Sequence, residues 1–370
     1  MSEVAGPAPA GARAGVLGRI VSDPVWQARL ARLPLVSRLV RHEGEALFDL
    51  VAGFAYSQVL RALVELDVPG RLRAGPAGVE ALSAGTGVPA ERMEVLVRAG
   101  IALGLLRPAG GGRVRLGRRG AALAGVPGLA EMVRHHDLLY RDLADPVALL
   151  RGGAGTETAR FWPYVAGRSD PDAARRYSEL MAVSQELVSA ETLDAADLSG
   201  TRALLDLGGG SGAFALGAAR RHPALSVTVL DLPDVAPEAE RRIESAALSS
   251  RVSVAARSFL DPLPRGHDAI SLVRVLYDHG DETVRRVLAN AHAALPPGGL
   301  LLISEPMTGG RRPSRPGDVY FALYTMAMGT GQARSAERIA ALCREAGFVE
   351  ARVRPTRRPF VTGVVTARKT

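Results

Sequence analysis

Cysteine and lysine are almost absent, because Cys343 and Lys369 are the only residues of their kinds among 370. A single cysteine permits no internal disulfide and no cysteine-based zinc cluster. This excludes a disulfide-stapled secreted protein and favours a reducing compartment. We therefore expect a cytoplasmic protein, and we assign no metal site.

Positive charge is in excess but not concentrated. A formal net charge of +8 would indicate a nucleic acid or an anionic membrane as a partner if the basic residues formed a patch. They are scattered among alanines and glycines instead. We therefore expect no nucleic-acid partner.

Long apolar runs are also lacking. Residues 1–16 are rich in Ala, Gly and Pro, and no later stretch approaches the ~20 uncharged apolar residues of a spanning helix. We therefore expect neither export nor a membrane-spanning segment. The following residues, up to about 40, form a basic amphipathic arm interrupted by Pro34. Packing of this arm on its own or a partner subunit is favoured over peripheral contact with the inner-membrane surface, which stays open as an alternative.

The N-terminal half has helical periodicity. Residues 46–66 are apolar nearly all round, which predicts a helix buried against other helices or another subunit. Two shorter helices, 78–84 and 90–103, and a hairpin around Gly110-Gly111-Gly112 follow, and this order predicts a winged helix-turn-helix. We expect a homodimer formed through this half.

The C-terminal half alternates strands with helices. Long helices are predicted over 129–151 and 173–195. Beyond Gly200, the order of elements predicts an α/β fold with a doubly wound, Rossmann-like sheet and a closing antiparallel pair. The predicted strands are 203–207, 226–230, 252–256, 268–273, 299–303, 350–354 and 360–367, and the helices are 213–221, 236–247, 281–294 and 336–346.

We expect four segments along the chain. They are a flexible basic arm (1–40), a mainly α winged-helix dimerisation domain (41–130), a helical linker that contributes to the substrate site (131–198) and the sheet domain (199–370).

The strongest local motif is DLGGGSG, from Asp206 to Gly212, where the first strand of the sheet domain turns into a helix. Glycines there let the backbone approach a ligand closely, and Asp231 closes the next strand, in position for ribose hydroxyls. The permissive nicotinamide fingerprint also fits, because Ala213 stands where its last glycine would be. Asp206 decides between the two, since a carboxylate repels a pyrophosphate but accepts bonds from the ammonium of a methionine moiety. The pattern predicts S-adenosylmethionine as the cofactor.

Polar residues end two further strands. Arg274, Tyr277, Asp278 and His279 follow the fourth strand of the sheet domain, and Glu305 ends the fifth. Ligands of open α/β sheets bind at the carboxyl ends of the strands, so we expect these groups to face the reactive end of the cofactor. Taken singly, Arg274 would suit an ordinary ion pair, and His279 would suit a cap of the following helix. Their occurrence together at adjacent strand ends favours a ligand-binding or catalytic site.

The winged-helix half combined with DLGGGSG, LDLPDV, LVRVLYDHGD and ISEPM resembles the two-domain small-molecule O-methyltransferases. This resemblance implies a class I methyltransferase fold, S-adenosylmethionine and dimerisation through the N-terminal half. The strings LFDLVAGFAYSQVL, HHDLLYRDLADPVALLRG, FWPY and RYSELMAVSQ are similar to the carotenoid-hydroxyl methylases of purple photosynthetic bacteria. That branch implies a lipophilic substrate with a tertiary hydroxyl on an acyclic polyene, in spheroidene or spirilloxanthin synthesis.

The resemblance also implies roles for single residues. Where the family usually has a histidine base this chain has Tyr277, and where it has a second base-orienting glutamate this chain has Ala333, so only Glu305 of that pair remains. The family's cofactor residues correspond to Asp206, Gly208, Gly209, Gly210 and Gly212 around the methionine moiety, Asp231 and Leu232 at the ribose, Ser258 and Phe259 at the adenine, and Arg274 beside the cofactor.

These departures suit a tertiary alcohol, which is too weak an acid to lose its proton much before methyl transfer. Positioning of the oxygen and exclusion of water then matter more than a base. We expect Tyr277 to orient the substrate and His279, aided by Asp278, to be the nearest candidate base, with no dedicated base as an equal alternative. For the polyene we expect apolar surface from Phe161, Trp162, Met181, Tyr320, Tyr324, Met326 and Met328.

Three other functions remain open. A nicotinamide oxidoreductase is disfavoured by Asp206 and by the absence of a Tyr-x-x-x-Lys pair. A winged-helix DNA-binding regulator would use arginines around the wing, but its recognition helix is mostly apolar. Methylation of a phenolic or polyketide hydroxyl is disfavoured by the altered base position.

Overall fold

The computed structural model describes Asp23, Val25 and residues 36–153, 155–161 and 185–370. Trp162, Met181 and most of the predicted arm lie outside these residues, as do 173–184 of the predicted helix 173–195, and of Phe161 only the backbone is described. The chain divides into two compact units, one through Arg119 and one from Gly120. The finer division at residues 40, 130 and 198 stays a prediction.

The first unit has the predicted helix-turn-helix and hairpin. Gly87 adopts a left-handed conformation (φ 73°) that ends the first short helix, and Pro89 immediately precedes the second. A small sheet in the order β1-β3-β2 forms the wing. Its elements are α1 (Val36–Glu65), α2 (Val68–Arg71), β1 (Ala77–Gly78), α3 (Val79–Thr86), α4 (Ala90–Ala102), β2 (Leu106–Ala109) and β3 (Arg113–Leu116).

Helix α1 presents an exposed apolar stripe. Leu47, Leu50, Val51 and Phe54 are spaced at i, i+3, i+4 and i+7, so they share one helix face, and each is between 64% and 74% exposed. By length and composition alone, residues Val40–Glu65 could cross a membrane. The segment is not an uncharged apolar run, however, because Asp49 and Arg61 lie within it. No described residue covers this stripe, and an apolar stripe of this size on a helix face indicates an interaction surface.

The second unit starts with helices that differ from the prediction. The predicted helix 129–151 is wrong, because it divides at Asp145. Pro146 lacks the N–H that a continuous helix requires, and the Asp145 side chain accepts a hydrogen bond from Ala148 N at 2.9 Å, which starts a new helix. The helices are α5 (Arg118–Gly125, across the unit boundary), α6 (Leu129–Asp142), α7 (Pro146–Leu150), α8 (Glu157–Phe161) and α9 (185–195).

The sheet is doubly wound, as predicted. Its strand order is β6-β5-β4-β7-β8-β10-β9, with the first five strands parallel and the last two antiparallel. Helix α13 was not predicted, and the other elements end within a few residues of the predicted boundaries. The elements are β4 (Ala203–Leu207), α10 (Ala213–Arg221), β5 (Ser226–Asp231), α11 (Ala236–Ser245), β6 (Val252–Ala256), β7 (Ala269–Val273), α12 (Asp281–Ala294), β8 (Leu300–Glu305), α13 (Ala322–Met328), α14 (Ala336–Glu345), β9 (Phe348–Arg354) and β10 (Gly363–Lys369).

The topology places the site residues together. Chain order reverses at β4, which lies between β5 and β7, and Leu207 at its end pairs with Leu230 and with Leu272. Because the strands are parallel and in register, their carboxyl ends meet at one edge. Both faces of these strands are buried under helices, which explains their nearly continuous apolar sequences. This edge is the switch point at which open α/β sheets bind ligands.

We expect the stripe on α1 to be covered by a second copy of the chain. Light scattering should therefore give twice the chain mass of 38.9 kDa. Phe54→Glu places a charge in the stripe and should shift the protein towards the monomer. Val353→Glu changes an apolar residue on β9 that is 54% exposed and is the matched control. A wild-type monomer at micromolar concentration would contradict the prediction.

Candidate active site

The carboxyl group of Asp206 lies at the end of β4 and is 1% exposed. Its Oδ1 accepts a hydrogen bond from Ser271 Oγ at 2.7 Å, whereas its buried Oδ2 has no partner among the described residues. Burial raises the pKa of Asp206 to about 7, and the nearby charge of Asp231 adds to this while the Ser271 bond opposes it. A cationic donor group would satisfy the unpaired oxygen and favour its ionised form.

The first two glycines of the turn after β4 have no room for side chains. A Cβ on Gly208, whose φ is +63°, would lie 2.9 Å from Val275 Cγ2, and one on Gly209 would lie 2.6 Å from Asp206 Oδ2. Bare backbone is therefore required here. Gly212 directly precedes α10, which begins at Ala213.

The carboxylate of Asp231 ties the glycine turn to the end of β5. Its Oδ2 accepts from Gly210 N at 2.7 Å and its Oδ1 accepts from Leu232 N at 2.7 Å. Burial raises the pKa of Asp231, and the two backbone donors oppose that rise. Leu232 is 39% exposed beside it. Each carboxylate oxygen keeps a second lone pair for a ligand hydroxyl.

An aromatic side chain closes the same region. Phe259 follows β6, and its ring lies 3.6 Å from the position that a Gly208 Cβ would occupy. Ser258 Oγ accepts from Leu260 N at 3.1 Å and so shapes this turn. The bare glycine turn, the unpaired oxygen of Asp206 and the aromatic ring together fit a nucleoside with a cationic amino-acid tail.

Arg274 begins the turn after β7 in a conformation that is rare for a residue with a side chain. Its φ is +60°, and its N–H donates to Ser304 O at 2.8 Å. The guanidinium carbon lies 6.0 Å from the centre of the Tyr277 ring. Its positive charge opposes the rises in pKa that burial causes in Tyr277, Asp278 and Glu305.

The backbone donors of this turn bind Glu305, which is 1% exposed. Its Oε1 accepts from Val275 N at 2.9 Å and from Leu276 N at 2.8 Å, and its Oε2 accepts from Tyr277 N at 3.4 Å. Burial raises the pKa of Glu305 to about 7, although these three donors oppose the rise. Glu305 thus holds the turn in place.

The carbonyl groups of the same turn bind Arg334, which the sequence analysis did not single out. Its Nη1 donates to Leu276 O at 2.9 Å and its Nη2 donates to His279 O at 2.7 Å. Nε forms an ion pair with Asp281 at 2.7 Å, and the side chain is 2% exposed. Arg334 therefore fixes the turn from the side opposite Glu305.

The candidate catalytic residues lie on this turn. Tyr277 is buried, and burial and the Asp278 charge raise the pKa of its phenol. Burial also raises the pKa of Asp278 well above its usual value, and its buried Oδ1 has no partner among the described residues. The His279 ring lies edge-on to Phe259, with ring centres 5.5 Å apart, and burial lowers its pKa. His279 is thus on the side of the predicted adenine residues.

Two histidines that the sequence analysis did not single out pair with the two candidate substrate tyrosines. His135 Nε2 lies 2.8 Å from Tyr324 Oη, and His136 Nε2 lies 2.7 Å from Tyr320 Oη. Burial lowers the pKa of His135 to about 4 and also lowers that of His136, so both are neutral near pH 7. The only signal in the sequence was a pair of adjacent histidines inside a predicted helix.

The tyrosines come from one continuous segment. A π-helix, Arg315–Phe321, leads into α13, and the Asp318 carboxylate accepts bonds from Thr308 Oγ1, Gly309 N and Ser314 N, each at 2.7 Å. The tyrosine rings stack with their centres 5.9 Å apart. Tyr324 packs with Tyr277 in one buried cluster that also contains Leu139, Leu149, Ala327 and Met328, with Leu143 and Tyr320 against it. Met326 is 41% exposed.

The site therefore has two parts among the described residues. The glycine turn, Asp206, Asp231 and Phe259 form one, and the tyrosine cluster forms the other, with the turn 275–279 between them. No group of three His, Cys, Asp or Glu side chains in the described part of the chain is arranged to hold a metal ion.

Sequence profiles of two domains match the chain. That of an O-methyltransferase domain matches residues 140–349, and that of an O-methyltransferase dimerisation domain matches residues 48–124.

Two proteins named demethylspheroidene O-methyltransferase are similar along most of their length. The chain is 49% identical to that of Cereibacter sphaeroides over 372 residues, which is 99% of this chain and 98% of that protein. It is 48% identical to that of Rhodobacter capsulatus over 342 residues, which is 91% of this chain and 85% of that protein. The crystal structure of human N-acetylserotonin methyltransferase in complex with SAM is 25% identical with a TM-score of 0.75, over 88% of this chain and 97% of that one.

Arg334→Lys keeps the charge but removes the planar fork, so buried carbonyl oxygens of the turn lose their donors. We expect a loss of about 2 kcal/mol in the free energy of unfolding, measured in urea. Arg338→Lys is the matched control, because Arg338 bonds the same Asp281 at 2.6 Å from a side chain that is 37% exposed. That exposed pair should contribute less than about 1 kcal/mol. Equal losses in the two variants would show that Arg334 does not hold the turn.

Proposed function

The chain belongs to the O-methyltransferase family, and we propose that it transfers the methyl group of S-adenosylmethionine to the tertiary hydroxyl of an acyclic hydroxycarotenoid. The observation that carries this proposal is the identity of 49% over nearly the whole chain with demethylspheroidene O-methyltransferase. Such a step belongs to spheroidene or spirilloxanthin synthesis. The replacement of the family's histidine by buried Tyr277 agrees with an acceptor that needs no strong base.

Both parts of the site suit this reaction. The cofactor supplies an electrophilic methyl group whose transfer disperses the sulfonium charge. The unpaired Asp206 oxygen suits the methionine ammonium, Asp231 suits the ribose hydroxyls, and Phe259 suits a face of the adenine. The bare backbone at Gly208 and Gly209 allows the close approach that this cofactor requires.

The acceptor side combines apolar cover with a few polar atoms. Tyr277, Tyr324 and Met328 pack as one buried cluster, which suits a long polyene and keeps water from the reacting oxygen. The phenol of Tyr277 has a raised pKa, so it stays protonated and donates a hydrogen bond rather than accepting a proton. Its place on the turn held by Glu305 and Arg334 fixes the direction of that donor.

The partners follow from the same chemistry. We infer a homodimer through the dimerisation domain, and a cytoplasmic enzyme that takes a lipophilic substrate. Because such a substrate resides in membranes, peripheral contact with the inner-membrane surface through the basic residues near the N-terminus forms part of the proposal.

The substrate class is tested with a panel of acceptors in detergent micelles. We expect methyl transfer to acyclic carotenoids with a tertiary hydroxyl and at least about tenfold lower kcat/KM with phenols, because the chain lacks the family's histidine base. Transfer to phenols with the higher kcat/KM would replace this substrate with a phenolic or polyketide one. Tighter binding of NAD than of S-adenosylmethionine would contradict the cofactor assignment.

The cofactor residues are tested by calorimetry. Asp231→Ala should weaken S-adenosylmethionine binding by about 1–3 kcal/mol, or roughly 5-fold to 150-fold, because charge-assisted hydrogen bonds to the ribose are lost. The substitution also frees Gly210 N and Leu232 N, so circular dichroism and the unfolding midpoint of the variant serve as controls. An unchanged dissociation constant would remove Asp231 from the site.

Binding should also depend on pH. The pKa of Asp206 is about 7 in the free protein, and a bound cation favours the ionised carboxylate. The complex therefore holds fewer protons, so affinity should rise as the pH increases from about 5 to about 7. Above that range the ammonium of the ligand, with an ordinary pKa of about 8, loses its own proton. Asp206→Asn should lower the affinity and reduce this pH dependence, leaving the smaller contribution of Asp231. An affinity that falls between about pH 5 and about pH 7 would contradict the role of Asp206.

A further inference from the structure

The pair formed by His135 and Tyr324 has no role in the site as described so far. His135 lies on α6 and Tyr324 on α13, and His135 Nε2 lies 2.8 Å from Tyr324 Oη. Their ring centres are 6.0 Å apart with the planes tilted by 58°. The hydrogen bond joins residues 189 positions apart in the sequence and orients the phenol oxygen of Tyr324.

The pair lies beside the turn that carries the candidate catalytic residues. Tyr324 and Tyr277 pack in the same buried cluster. The charge of Arg274 affects the pKa values of His135 and of Tyr277, and the phenol of Tyr277 contributes to the raised pKa of Tyr324. The pair and the turn therefore share one neighbourhood around a single guanidinium group.

The residues of the turn are poorly suited to accept the proton of the acceptor hydroxyl. Burial raises the pKa values of Tyr277 and Asp278, which favours the protonated form of both side chains. His279 lies against Phe259, on the side of the predicted adenine residues. Both carboxylate oxygens of Glu305 already accept backbone N–H groups of the turn. A neutral imidazole next to the tyrosine cluster is then the remaining base among the described residues of this neighbourhood, and His135 and His136 are the two that occur there.

We propose that Tyr324 Oη binds the acceptor hydroxyl and that His135 Nε2 receives the proton through it. This inference rests on the proposed methyl transfer to a hydroxycarotenoid. His135 is chosen over His136 because its partner, Tyr324, is the tyrosine within the cluster that contains Tyr277, whereas Tyr320 packs against the edge of that cluster.

As the carbon–oxygen bond to the methyl group forms and its carbon–sulfur bond breaks, the alcohol oxygen becomes an oxonium. Its proton passes to Tyr324 Oη while the phenol proton passes to His135 Nε2. The products are a neutral ether, neutral S-adenosylhomocysteine and an imidazolium, which then loses its proton to solvent.

A weak base is sufficient for this step. The hydroxyl becomes strongly acidic only as the methyl group is transferred, so the base need only exceed a protonated ether in basicity. With a pKa of about 4, His135 meets this condition and remains neutral before the reaction. The step requires the tautomer in which Nε2 is the acceptor.

The first test separates turnover from binding. His135→Gln keeps an acceptor for the Tyr324 hydroxyl but provides no base, so kcat should fall by about 100-fold with little change in KM. Tyr324→Phe should lower kcat and raise KM. The double variant should be no worse than Tyr324→Phe, because the two residues act as one unit. His267→Gln is the matched control, since His267 Nε2 lies 3.1 Å from Thr228 Oγ1, away from the tyrosine cluster, and its kcat should stay within about twofold.

The second test does not depend on turnover. The dissociation constants of a hydroxycarotenoid and of the hydrocarbon without its hydroxyl are compared in detergent micelles. The wild type should prefer the hydroxylated compound. Tyr324→Phe should reduce this preference by about fivefold, which corresponds to one lost hydrogen bond, because the Tyr277 donor remains, whereas His267→Gln should keep the full preference.

The outcomes distinguish the inference from the proposed function. If the wild type methylates no hydroxycarotenoid, the proposed function fails, whatever the variants do. If the wild type is active, a wild-type kcat in His135→Gln or an unchanged preference in Tyr324→Phe overturns the inference. The dissociation constant of S-adenosylmethionine and the unfolding midpoint identify misfolded variants, and should Tyr324→Phe not fold, the separation of kcat from KM in His135→Gln decides.

Discussion

The buried carboxylate of Glu305 is the group on which the rest of the site depends. It ends β8 and accepts the N–H groups of the turn that follows β7. Without it those donors would be buried and unpaired, which costs more than most single contacts contribute. Arg334 binds the carbonyl groups of the same turn. Two opposite charges thus fix one short stretch of backbone, and Tyr277 takes its direction from that stretch.

Buried acids outnumber buried cations at this edge of the sheet. Burial raises the pKa values of Asp206, Asp278 and Glu305, whereas Arg274 is the guanidinium whose charge opposes the rise in two of them. An excess of acidic groups in a poorly solvated place favours a cationic ligand over an anionic one. The electrostatics therefore agree with a sulfonium donor and with the rejection of a pyrophosphate.

Local patterns made most of the fold predictable. The strands of the sheet are apolar on both faces, and DLGGGSG contains in seven consecutive residues both the turn and the acid at its start. The division of helix 129–151 was visible in Asp145 and Pro146, but the apolar periodicity on either side outweighed it. The pairing of His135 with Tyr324 could not be predicted, because it joins distant positions through tertiary packing alone. Arg334 was hidden for the same reason, since only the fold shows that its guanidinium is buried and fully bonded.

The buried Asp206 has a consequence for the lifetime of the protein. An aspartate of an unfolded chain ionises near its ordinary pKa of 3.8, whereas in the folded protein the pKa is about 7. Between these values the unfolded chain has released a proton that the native state retains, so this residue opposes folding increasingly as the pH rises towards neutrality. A ligand cation that pairs with the carboxylate removes that penalty and stabilises only the native state. Cellular proteases, which act on opened chains, would therefore degrade the enzyme faster when the methyl donor is scarce.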